Sequence, residues 1–169
     1  MPTIGGISSV GRAPALHAGG QRFDPAILHQ KWVKKMDDKT LYKIASEASE
    51  AAYAPFSGFK VGAALLTGSG EIYTGANVEN SSYGATICAE RAAAVKAVNA
   101  GEREFVAIAI AAPARGGLAW PCGTCRQFLF EFGGELYVTT GKDLDNLETI
   151  PLKELLPHGF KIDGTGDER

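Results

Sequence analysis

The chain holds only three cysteines and three histidines in 169 residues, which rules out a dense disulfide framework and leaves few ways to build a metal site. Three thiols cannot all pair within one chain, and a reducing cytosol keeps them free, so metal binding or thiol chemistry is the reading left for them. No apolar run approaches the ~20 residues of a bilayer span, and no basic start leads into an apolar stretch as a secretory signal does. A cytoplasmic location with no membrane partner is expected. An excess of positive charge is also missing: the net charge is -2 and the pI about 5.9. Binders of long polyanions displace counterions with clustered Lys and Arg, so a nucleic-acid partner is not expected. With 45% hydrophobic and 21% charged residues, the composition suits one soluble domain with a true core.

Residues 1–35 differ from the rest. They carry five basic residues (Arg12, Arg22, Lys31, Lys34, Lys35) against the single acid Asp24, with scattered Gly and Pro. No periodicity survives Gly5-Gly6, Gly11, Pro14 and Gly19-Gly20, so a disordered extension is expected, an organelle-targeting segment being the alternative. The stretch 10–17 also resembles translation through a transfer-RNA gene, which would make Met36 the true start. The domain is expected to span 36–160, with 161–169 as a C-terminal tail.

From Asp37 the pattern is regular. Leu41, Ile44, Ala45, Ala48 and Ala52 recur on one helical face, Asp37 or Asp38 can cap it, and Ala54-Pro55 stops it. Strands are expected over 60–66 and 71–78, joined as a hairpin by Thr67-Gly68-Ser69-Gly70. A helix over 87–100 ends at Gly101, and 105–111 is a continuous apolar run typical of a strand buried on both faces. A helix from near Cys122 to Gly133-Gly134, strands at 136–140 and 148–150, and a short helix over 152–156 complete the pattern. This order predicts an α/β fold: a three-layer α-β-α arrangement around a mixed five-stranded sheet.

All three cysteines fall in two short motifs, Cys88-Ala89-Glu90 and Pro121-Cys122-Gly123-Thr124-Cys125, each at an expected helix start and 34 residues apart. A Cys-x-x-Cys turn brings two sulfurs to one tetrahedral ion, and a third ligand from elsewhere leaves one position open, as catalytic zinc requires. Helix N-termini favour thiolates through free amide donors and the helix dipole. Three thiolates overcompensate Zn2+ and weaken it as a Lewis acid, so a cation donating to the sulfurs is needed; Arg91 is favoured over Arg126. Glu90, two residues from a ligand and facing the open position, can act as base and then acid. Two other readings compete. Trp120-Pro121-Cys122-Gly123-Thr124-Cys125 looks like a thioredoxin-type redox pair, but it comes late in the chain and leaves Cys88-Ala89-Glu90 unexplained. A purely structural zinc site wants a fourth ligand, for which only His17, His29 or His158 remain.

On these motifs the chain resembles the cytidine deaminase family, specifically its short, three-cysteine homotetrameric branch, over about residues 38–160. The likeness extends to Phe59-Lys60-Val61-Gly62-Ala63-Ala64, Asn77-Val78-Glu79-Asn80, Thr86-Ile87-Cys88-Ala89-Glu90-Arg91, Cys125-Arg126-Gln127 and Leu155-Leu156-Pro157-His158-Gly159-Phe160. It implies one Zn2+ per subunit on Cys88, Cys122 and Cys125, and hydrolytic deamination of cytidine and 2′-deoxycytidine with Glu90 moving the protons. It further implies that Asn77 and Glu79 grip the ribose, that Phe59 stacks on the base, and that Ala89 lies against the substrate. Tyr83 and Phe160 are implied at a subunit junction, Phe160 reaching a neighbour's site, and Arg91 and Gln127 behind the metal ligands. Alternation along a strand is consistent with Asn77 and Glu79 projecting together. A related amine such as blasticidin S, a catalytically silent scaffold, and editing of RNA or DNA are the competing functions.

Overall fold

A computed structural model describes residues 36–116 and 118–162 of the chain, the Arg115 side chain apart. The expectations for residues 1–35 and for most of the C-terminal tail lie outside the described residues. Five strands form one mixed sheet in the order β2-β1-β3-β4-β5: β1 (Gly62–Thr67), β2 (Ile72–Ala76), β3 (Phe105–Ala111), β4 (Tyr137–Gly141) and β5 (Leu147–Pro151). Only β3 and β4 run parallel, joined by a crossover that contains a helix; the other neighbours are antiparallel.

Helix α1 (Asp38–Ala48) covers one face of the sheet, while α2 (Ala89–Asn99), α3 (Gly123–Phe130) and the short α4 (Leu152–Leu155) cover the other. Period-two alternation divides the core between these layers. From β1, Leu65 packs with Ala93, Ala97 and Leu129, while Ala64 and Leu66 pack with Leu41, Tyr42 and Ala45. Strand β3 feeds both clusters, Ile108 and Ile110 into one and Ala107 and Ala109 into the other, which is why its sequence is continuously apolar. Small residues let helices approach the sheet backbone. A Cβ on Gly75 would lie 2.4 Å from both the Ala89 carbonyl oxygen and the Ala93 amide nitrogen, so the first turns of α2 rest directly on β2.

Several boundaries differ from the sequence expectation, each for a local reason. Helix α1 is capped by Asp37, whose carboxylate accepts from the Thr40 amide at 2.8 Å, but it ends at Ala48 and tightens into a 3-10 turn over Ser49–Ala51. There the Ser49 hydroxyl donates to the Ser46 carbonyl at 2.6 Å, a local bond that competes with helix continuation. Tyr42 was outside the expected apolar face, yet it is buried, with its hydroxyl donating to the Gly141 carbonyl at 2.8 Å. Helix α2 starts at Ala89 rather than 87 because Ile87 pairs with Val78 through two backbone bonds of 2.9 and 3.0 Å. The same pairing ends β2 at Ala76 and leaves Val78 bridged to Tyr53 and Ile87.

Candidate active site

That bridge carries the chain to Cys88, the N-cap residue of α2; Cys122 is likewise the N-cap residue of α3, with Cys125 one turn further on. The three Sγ atoms lie within 4.8 Å of one another. Sulfurs bound tetrahedrally to one zinc at ~2.3 Å would be about 3.8 Å apart, so a small inward adjustment brings this set onto a single ion. Cys125 is buried, Cys88 half-buried and Cys122 exposed, so the set opens toward the Cys122 side.

In the metal-free cluster the negative charge settles on one sulfur. A hydrogen bond from the Cys125 thiol, aided by Arg91, lowers Cys88 to about 5, while donating that bond and being buried push Cys125 upward. The Arg91 guanidinium donates to the Thr86 carbonyl at 2.9 Å and approaches the Cys88 sulfur at 3.9 Å. Its Nε is buried without a hydrogen-bond partner, a spare donor beside the sulfurs. Three cysteine sulfurs, two helix N-termini and an adjacent cation with a free N–H form a donor set that fits zinc.

Arg126 is as close to a cysteine in sequence but is occupied elsewhere, donating at 2.7 Å to both the Pro121 and Leu155 carbonyls. It ties the cysteine loop to α4. Gln127, expected behind the metal ligands, donates from its amide nitrogen to the Phe160 carbonyl at 2.7 Å and so holds the C-terminal segment.

Glu90 sits in the first turn of α2 and is only 4% exposed. Burial raises its carboxyl above the usual range, and the neighbouring Cys88 charge adds to this. It lines a cavity of about 290 Å³ together with Cys88 and Cys122. Phe59, Val61, Ile110 and Trp120 give this cavity apolar walls, and Ala89, fully buried, also borders it. Asn77 and Glu79 line the same cavity from just beyond the end of β2, not from within a strand whose alternation would align them.

Both polar residues also make structural bonds that local sequence does not reveal. The Asn77 side-chain oxygen Oδ1 accepts from the Val61 amide at 2.8 Å, and its side-chain nitrogen Nδ2 donates to the Phe59 carbonyl at 2.9 Å. Glu79 Oε2 accepts from the amides of Phe56 and Ser57 at 2.8 and 3.2 Å, and Oε1 accepts from the Ser57 hydroxyl. The Ser57 hydroxyl, then the two amides, hold the Glu79 carboxyl below its usual value. Tyr83 and Phe160 do not line the cavity; they are 77% and 63% exposed. Trp120 and Ser57, which line it, escaped the sequence reading. Trp120 had a signal in its place directly before Pro121-Cys122; Ser57 had none beyond lying in the loop ahead of β1.

Residues 35–140 match the family described as the cytidine and deoxycytidylate deaminase zinc-binding region. The chain belongs to this family. The matched span of this deaminase domain contains the three cysteines, Glu90, Asn77 and Glu79, and stops short of Phe160. A cytidine deaminase of Halalkalibacterium halodurans is 44% identical over 133 residues, covering 78% of this chain and all of the relative. A probable cytidine deaminase of Dictyostelium discoideum is 53% identical over 116 residues, covering 69% of this chain and 78% of the relative. Among solved structures, the cytidine deaminase of Burkholderia pseudomallei superposes with a TM-score of 0.68 at 43% identity, covering 74% of this chain and 100% of that one. That of Mycobacterium tuberculosis gives 0.67 at 38% identity, covering 75% and 99%. The deaminase domain thus has the mixed five-stranded α/β architecture that its sequence predicted.

Proposed function

We propose that this chain is a zinc-dependent hydrolase that converts cytidine and 2′-deoxycytidine to uridine and 2′-deoxyuridine with release of ammonia, serving pyrimidine salvage. The observation that carries this reading is that Glu90, 4% exposed, shares one cavity with two members of a three-sulfur cluster. Cys88, Cys122 and Cys125 would hold the zinc, which when bound supplies the Lewis acidity that makes water a nucleophile near neutral pH.

The chain's own groups account for the rest of the reaction. Glu90 takes a proton from the attacking water and passes it to the pyrimidine ring nitrogen N3. The water oxygen joins the amino-bearing carbon C4; Glu90 then takes the second proton from the resulting C4 hydroxyl and delivers it to the amino group, which leaves as ammonia as the carbonyl forms. Burial of Glu90 excludes bulk water from these transfers. Phe59 and Trp120 offer aromatic surfaces to the base, and Ala89 leaves room for it at the start of α2. Glu79, with Asn77 beside it, takes the sugar hydroxyls at the far end of the cavity. Arg91 offsets the thiolate charge that would otherwise blunt the metal. A cavity of about 290 Å³ has room for a free nucleoside.

We further propose a homotetramer whose sites are completed across subunits. Tyr53, Phe56, Val78, Tyr83 and Ile87 are exposed apolar residues on the loops beside the cavity, and Phe160 is exposed at the C-terminal end. Such a patch is covered most economically by another copy of the chain. A cytoplasmic location accords with free thiols as metal ligands, and among the described residues no helix is long and apolar enough to cross a membrane.

The test is direct. Purified protein is assayed for zinc and for the loss of long-wavelength ultraviolet absorbance when cytidine is added. About one zinc per chain with turnover is expected; zinc-loaded protein that leaves both cytidine and 2′-deoxycytidine untouched overturns the assignment.

A further inference from the structure

The Ser57 hydroxyl links two other residues of the cavity wall, Glu79 and Phe59. It donates to Glu79 Oε1 and accepts from the Phe59 amide at 2.9 Å. Its proton is therefore committed to the carboxylate and a lone pair to the backbone of the aromatic residue, which fixes the hydroxyl rotor. Glu79 Oε2 already has two amide donors, from Phe56 and Ser57. With those lone pairs used, the remaining acceptor capacity of the carboxylate is on Oε1, and the Ser57 hydroxyl determines which direction that is. Ser57, Phe59 and Glu79 all line the cavity that contains Glu90.

We infer that Ser57 is a positioning residue for sugar recognition, aiming one Glu79 acceptor at a hydroxyl-bearing sugar carbon. This rests on the cytidine reading of the site given above. An ionised carboxylate can only accept, so the ligand group it selects must be a donor, and the 3′-hydroxyl shared by cytidine and 2′-deoxycytidine meets that requirement. The alternative is that Ser57 only closes the 56–59 loop. That role would affect folding and every ligand alike, whereas a positioning role depends on the 3′-hydroxyl.

The experiment compares wild type, Ser57→Ala and Ser57→Thr on cytidine and on 3′-deoxycytidine, the latter as substrate or competing inhibitor. For cytidine, Ser57→Ala should raise KM about five- to tenfold, with kcat within about twofold of wild type, since the bond is made equally in ground and transition states. For 3′-deoxycytidine the same variant should change KM or Ki by less than about twofold. Ser57→Thr, which restores the hydroxyl, should return the cytidine KM toward wild type. An unchanged cytidine KM in Ser57→Ala, or an equal rise for both ligands, overturns the inference. Should Ser57→Ala fail to fold, Ser57→Cys, of similar size with only a weak S–H donor, carries the same comparison. Wild-type protein inactive on cytidine overturns the reading of the site and this inference with it, so the two failures are told apart.

Discussion

Cys88 and Cys122 occupy the same position on two different helices: each is an N-cap residue, and neither makes a capping bond with its side chain. The uncapped amides of both first turns are therefore available to thiolate charge. Serine at an N-cap is a good acceptor for such amides and typically stabilises a helix, but it is a poor zinc ligand compared with thiolate. Cys122→Ser should thus separate metal binding from folding. Zinc should fall from about one per chain to below about a tenth, with turnover lost in parallel. The chelated variant should melt at or a few degrees above chelated wild type, by roughly 2–5 °C. Full zinc occupancy in Cys122→Ser would remove that sulfur from the metal site.

Glu90 is the buried carboxyl nearest to the cysteine motif in sequence and shares the cavity with two of its sulfurs. Glu90→Gln keeps the shape and can still form hydrogen bonds, but it cannot shuttle a proton. Its kcat on cytidine should fall about a hundredfold or more while zinc content and melting temperature hold. Near-normal turnover would assign the proton transfers to another group.

Periodicity made the layers legible, because a strand covered on both faces must be continuously apolar and one covered on a single face must alternate. That logic holds for β3, and the same two-sided burial applies to β1, which feeds both core clusters. It misplaced the start of α2, because Ile87 is claimed by a bridge to Val78 that no local pattern reveals. The cysteine motifs were legible since their spacing has little meaning apart from metal or redox chemistry. Choosing between Arg91 and Arg126 needed a charge argument, and the structure separates them through carbonyls as distant as Leu155, 29 residues from Arg126. Ser57 was invisible for the same reason: its importance comes from Glu79, 22 residues away.

Asn77 and Glu79 line one cavity but should respond differently to substitution. Asn77 is 9% exposed and satisfies the Val61 amide and the Phe59 carbonyl. Asn77→Ala strands both groups and should cost about 1–3 kcal/mol of stability, measured by denaturant unfolding, together with a rise in KM. Glu79→Gln leaves the core intact and should barely move the melting temperature, while KM for cytidine rises about tenfold. Equal loss of stability in the two variants would show that Glu79 is chiefly a structural cap.

Acid should weaken α1 at an identifiable step. The Thr40 amide, then the Thr40 hydroxyl, hold the Asp37 carboxyl below its usual 3.8. A carboxyl depressed in the folded state adds stability that is complete above its unfolded value and lost as pH falls through the folded value. With zinc chelated, so that ligand protonation does not interfere, Asp37→Ala should melt a few degrees below wild type at about pH 6. The gap should close as pH falls through the depressed value of the folded carboxyl, under 3.8, because the wild-type carboxyl is then protonated. A gap that persists unchanged would mean that the cap does not act through its charge.

Gly75 lies far from Glu90 in sequence yet governs where it sits. A methyl group there would meet the Ala89 carbonyl oxygen and the Ala93 amide nitrogen at 2.4 Å, both backbone atoms of the helix whose N-terminus carries Cys88 and Glu90. Backbone cannot rotate aside as a side chain can, so α2 must move away from β2 or the sheet must bend. Gly75→Ala should cost about 2 kcal/mol or more, and the protein that remains folded should show weakened zinc retention and lower kcat. A Gly75→Ala protein with normal stability and turnover would mean that α2 tolerates displacement, and that Cys88 is held in place by the Val78–Ile87 bridge.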